Sequence, residues 1–148
     1  MATPVSLHRD KLFLAAMLLG PLYWLLLAIQ NTPDLHWHKP FAHPWWFLQL
    51  AVIYPLLEEL VFRGLLQGLV RDLLGHFRIG PLTLANAITS MLFALAHLYY
   101  NPAPVALLVF FPSLVFGYFR ERTGALTASI LLHGFYNAGL AWLYLAPE

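Results

Sequence analysis

The sequence predicts an all-α fold: a polytopic transmembrane helical bundle of about five membrane-spanning helices, forming a single membrane domain over residues 1–148. Three observations predict it. The 148 residues are 60% hydrophobic and 10% charged, which is more apolar than a soluble globular domain. Mean hydropathy is +0.67. Five apolar blocks, each near the roughly 20 residues a helix needs to cross a bilayer, are separated by short loops holding most of the Pro and Gly. A net charge of +1, with eight scattered Lys and Arg, lacks the clustered basic face that nucleic acid requires, so no nucleic-acid partner is expected. The absence of cysteine excludes disulfides, thiolate metal sites and thiol catalysis.

The first block, residues 12–29, is a leading transmembrane helix interrupted by Gly20-Pro21, which a membrane helix absorbs as a kink. It is longer than the apolar region of a secretory signal, and no small-residue cleavage site follows, so it is read as retained. The remaining blocks, within residues 45–145, form the core: about 45–70, 82–100, 105–119 and 125–145. Punctuation falls between them, at Pro40, Pro44, Gly75, Gly80, Pro81, Pro102, Pro104 and Gly124. With a cytoplasmic N-terminus, Arg9, Lys11, Arg71, Arg78, Arg120 and Arg122 all fall on the cytoplasmic side and only Lys39 opposite, a positive-inside bias. Trp37, Trp45, Trp46, Tyr99, Tyr100, Trp142 and Tyr144 then collect at the outer edge as an interfacial belt.

The second block contains "LLEELVFRG", with Glu58, Glu59 and Arg63 inside apolar sequence. Three central charges cost about 7 to 10 kcal/mol on an insertion scale, while the fourteen Leu, Ile, Val and Phe between Trp45 and Val70 return about 4 to 8. Such a helix persists only if its charges face protein, which makes them candidates for function. Glu59 and Arg63 are spaced i, i+4, the favoured order for an ion pair. Glu58 lies about 100° further round and is expected to have no local cation. A carboxylate desolvated in that way has a raised pKa and suits a general base.

Two further helices carry polar stripes. Asn86, Ser90, Phe93 and His97 share one face of the third block, and Ser129, His133 and Asn137 share one face of the fifth. At 1.5 Å per residue, Glu58, His97, His133 and Asn137 lie about 18, 22, 12 and 18 Å from the cytoplasmic ends of their helices, so one layer towards the outer half could hold them all. A lone histidine in an apolar helix is usually a packing residue. Three helices with inward polar stripes argue for a site instead.

These motifs resemble those of the CAAX-processing and bacteriocin-processing intramembrane endopeptidases. "EELVFR" resembles their E-E-x-x-x-R, "FALAH" their F-x-x-x-H and "HGFYN" their H-x-x-x-N, in order and on three separate helices. The resemblance implies that Glu58 and His97 activate the attacking water. It assigns the oxyanion to His133 and Asn137, and makes Glu59, Arg63 and Phe93 structural or substrate-orienting. It also implies a membrane-anchored protein or peptide substrate, cut near its anchor or C-terminal tail. Short prokaryotic members of the family include myxosortase-like and JDVT-tail processing enzymes, so an integral protein of a prokaryotic inner membrane is expected, its site opening towards the outer half.

The chemistry agrees with these residue types: peptide hydrolysis needs a base for water, a proton donor for the leaving amine, and donors for the developing oxyanion. The reading taken is a metal-free glutamic protease without cofactor. A zinc enzyme using Glu58, His97 and His133 with water in the fourth position remains open. His36, His38 and His43, three histidines within "HWHKPFAH", are read as interfacial residues where substrate approaches, although such a cluster can also bind metal. Two other classes compete. A non-catalytic immunity or binding protein on the same scaffold would tolerate loss of Glu58 or His97. A proton-coupled transporter fits poorly with five spans and no inverted repeat.

Overall fold

The computed structural model describes residues 6–30 and 38–144. It is almost wholly helical: α1 (Lys11–Gln30), a short α2 (Lys39–Ala42), α3 (Pro44–Leu74), α4 (Leu84–His97), α5 (Ala103–Thr123) and α6 (Thr127–Leu143). A small antiparallel hairpin, β1 (Arg78–Ile79) and β2 (Leu82–Thr83), pairs Arg78 with Thr83 and Ile79 with Leu82. Helices stand at all five expected positions. Of these, α3 and α5 are long and apolar enough to cross a membrane, while residues 11–26 and α4 are shorter apolar helices.

The polarity of α3 is inverted relative to a soluble helix. Leu57, Leu60, Val61, Leu65 and Leu69 are exposed, whereas Glu59, Arg63 and Gln67 are buried. Water would reward the opposite arrangement. A surface of leucine around a polar interior suits lipid. By length and composition, α3 and α5 have the character of membrane spans.

The chain divides into two compact units, residues 58–129 and the remainder. In the unit formed by residues 6–30, 38–57 and 130–144, Asp10 starts α1 by accepting the Leu12 and Phe13 N–H groups at 3.0 and 3.4 Å. α1 and α6 meet through glycines: a Cβ at Gly139 would overlap the Trp24 indole, and one at Gly20 would press on Tyr136. Small residues at such positions let membrane helices approach closely. The Tyr136 and Tyr144 hydroxyls donate to the Ala16 and Trp24 carbonyls at 2.6 and 2.5 Å.

In the unit of residues 58–129, α4 and α5 are in close contact. Asn86 Nδ2 donates to the Leu114 carbonyl at 2.9 Å, and a Cβ at Gly117 would overlap Asn86 Oδ1. Residues 82–83, expected at the start of the third span, belong instead to the hairpin. Gly80, with φ of 61°, lies in its turn, and Thr83 caps α4 by accepting the Asn86 N–H at 3.0 Å, so the helix begins two residues later. Gly75 and Gly124, both with positive φ, terminate α3 and α5.

Candidate active site

Two stretches of α3 are wound more loosely than an α-helix, with π-helical hydrogen bonding over Gln49–Ile53 and Leu60–Leu66. Such turns expose backbone groups and redirect side chains, and they recur at functional sites. Glu58 and Glu59 immediately precede the second stretch, and Arg63 lies within it.

Within residues 58–129, Arg63 is the centre of a buried clamp. Its NH1 lies 3.2 Å from Glu59 Oε1, with both side chains fully buried. Its NH2 donates to the Ser113 carbonyl at 2.9 Å and to Ser113 Oγ at 2.5 Å. The guanidinium sits over Phe93, 4.6 Å from the ring centroid, and 5.7 Å from that of Phe116. A planar, delocalised cation suits both the fork of hydrogen bonds and the aromatic faces, as an ammonium would not. The clamp joins α3, α4 and α5.

Glu58 is half-buried beside it. The expectation that Glu58 has no local cation is corrected: its charge, like that of Glu59, acts on Arg63. A helix wound wider than 3.6 residues per turn brings position i+5 as well as i+4 towards one face, and Arg63 stands at those two spacings from the two acids.

His97 is also half-buried, at the end of α4. Its Nδ1 is 2.9 Å from the Phe93 carbonyl and its ring centroid 4.5 Å from that of Phe93. A carbonyl only accepts, so Nδ1 carries a proton, which leaves Nε2 as the ring nitrogen that can face a water or a metal. Phe93 therefore contacts both the clamp and the histidine.

His133 and Asn137 lie on α6 in the other unit, one turn apart. His133 is 4% exposed. Asn137 is half-buried, and its Nδ2 donates to the Leu50 carbonyl at 3.2 Å, within the first loosely wound turn of α3. A Cβ at Gly134 would come within 2.6 Å of the neighbouring Ala51 carbonyl. Only glycine allows α6 this approach.

Neither unit, among the described residues, groups three or more His, Asp or Glu side chains as a metal site. His38 and His43 are exposed at the two ends of α2, and His36 lies outside the described residues.

Several participants were missed in the sequence. Ser113 is fully buried against Arg63. Glu121, set between Arg120 and Arg122 near the end of α5, is an internal hub. Its Oε1 accepts from Gln67 Nε2 at 2.8 Å and Thr83 Oγ1 at 2.5 Å, and its Oε2 lies 3.8 Å from Arg78. Gln67 Nε2 also donates to the Gly117 carbonyl at 3.2 Å. The signal was present as spacing: Glu59, Arg63 and Gln67 on α3, and Ser113, Gly117 and Glu121 on α5, each recur every four residues. Arg63 meets Ser113 and Gln67 meets Gly117, so the helices run parallel.

Comparison with known proteins gives one result. No curated protein and no solved structure matches. A family model described as type II CAAX prenyl endopeptidase Rce1-like matches residues 40–139, about two thirds of the chain and every motif named above. That family is one of membrane proteases, and on this match the chain belongs to it.

Proposed function

We propose that the protein is a five-span intramembrane endopeptidase that hydrolyses a peptide bond near the membrane anchor or C-terminal tail of a membrane-tethered substrate. Glu58 acts with His97 to deprotonate the attacking water, His97 through Nε2. As the bond breaks, the proton passes to the departing amine. His133 and Asn137 donate to the carbonyl oxygen as it becomes negative, and donors of that kind are typically worth about a hundredfold to a thousandfold in rate each. Glu59, Arg63 and Phe93 hold the site's framework.

The observation that carries this reading is a division of exposure within the first two motifs, Glu58 to Arg63 and Phe93 to His97. Glu59 and Arg63 are sealed away, while Glu58 and His97, flanking the same clamp, remain partly accessible to a substrate and its water. In the proposed orientation the N-terminus is cytoplasmic, in a prokaryotic inner membrane, and the site opens towards the outer half.

The test is digestion of peptides that carry a hydrophobic C-terminal tail by the purified protein in lipid vesicles, with products mapped by mass spectrometry. A single cut beside the hydrophobic segment is expected. The absence of any cut there rules out this substrate class. Activity abolished by a strong chelator and restored by zinc would replace the metal-free mechanism with one in which Glu58, His97 and His133 are ligands.

A further inference from the structure

We infer that Pro55 is a positioning residue for Asn137, acting through the backbone of α3. This deepens the proposed function and rests on Asn137 serving as an oxyanion donor.

A membrane helix normally satisfies every backbone carbonyl from within, because lipid offers no donor. The Leu50 carbonyl is an exception with an identifiable cause. In α spacing its donor is the Tyr54 N–H, but that group bonds to the Gln49 carbonyl in the π-helical turn Gln49–Ile53. In π spacing its donor is residue 55. Residue 55 is proline and has no N–H. Both possible intrahelical donors are therefore withdrawn, one by the widened turn and one by Pro55. Asn137 Nδ2 supplies the missing bond at 3.2 Å.

This bond constrains the chemistry of Asn137. A carboxamide nitrogen has two N–H groups. Directing one to Leu50 fixes the plane of the amide and commits the other to a single direction, as an oxyanion donor requires. Gly134, which has no Cβ to hold off the Ala51 carbonyl, keeps α6 close enough for the bond to form. Pro55 itself is fully buried and touches no reacting group under this reading, so its effect passes through Leu50 alone.

The test compares Pro55→Ala with the parent protein, and Pro55→Val serves as a second variant that restores the same N–H with less loss of buried volume. Replacing an interior helix proline removes a helix-breaking residue, so folded protein is expected from both. The chain has four asparagines, and selective ¹⁵N-Asn labelling in micelles resolves their side-chain amides. Displacement of the Asn137 side-chain resonances is expected, because the new N–H competes for Leu50. In the cleavage assay kcat should fall about tenfold to a hundredfold with KM nearly constant. Pro55→Ala should add nothing further in an Asn137→Ala background.

Asn137 amide resonances that stay in place in both variants would overturn the inference. Full activity in Asn137→Ala would instead remove the oxyanion role, while the resonances would still judge the anchoring on their own.

Discussion

Arg63 shows how a charge becomes tolerable in apolar sequence. The insertion cost is offset only because Glu59, Ser113 and two aromatic rings replace the water it loses. Removing the cation should therefore be far more damaging than altering an exposed charge. Arg63→Met leaves the fully buried Glu59 without its counter-ion and should cost about 3–5 kcal/mol, read as a lowered unfolding midpoint in detergent. Ser113→Ala removes one charge-assisted bond while the Ser113 carbonyl remains, and should cost about 1–3 kcal/mol. Equal stability of Arg63→Met and the parent would mean that the clamp contributes nothing. The Glu59–Arg63 pair was legible from i, i+4 spacing alone. Ser113 was not, because one serine in "FFPSLVFGYFR" has no partner until a second helix is placed beside it.

At the scale of elements, the boundaries of α1, α3 and α5 follow the apolar blocks closely, since length and composition decide them. What the pattern could not reveal is winding. The two π-helical turns in α3 change which residues share a face: on a regular helix Glu58 stands about 140° from Arg63, and wider winding at Leu60–Leu66 reduces that offset. The hairpin at 78–83 was hidden because Gly80-Pro81 reads equally as a plain loop. Contact between α4 and α5 depends on Gly117, whose neighbour Asn86 is held by both Ser90 and Leu114 and cannot swing aside. Gly117→Ala should destabilise the protein by about 1–3 kcal/mol through overpacking. The double variant Gly117→Ala with Asn86→Ala should be less destabilised than the sum of the two single changes, since the clash disappears with the amide. Strict additivity would show that the two residues do not press on each other.

For the whole molecule, composition was enough to indicate a helical membrane protein, and three short motifs were enough to indicate the family. Direction across the membrane rests on the distribution of Arg and Lys. The chain has no cysteine, so single-cysteine labelling tests that direction without background. Arg122→Cys should react with an impermeant maleimide only from the cytoplasmic face, and His43→Cys only from the opposite face; both positions are exposed. Reaction of both from one side would exclude the proposed topology. The roles of Glu58, His97, His133 and Asn137 were suggested by residue type and spacing, and their test is chemical.

The most direct measurement is cleavage of a tail peptide in vesicles containing H₂¹⁸O, comparing the parent with Glu58→Gln. Hydrolysis by a water that Glu58 activates places one ¹⁸O in the new C-terminal carboxylate with the parent protein. It yields no product with Glu58→Gln, although that variant is inserted and folded. Labelled product formed at the parental rate by Glu58→Gln would contradict the account.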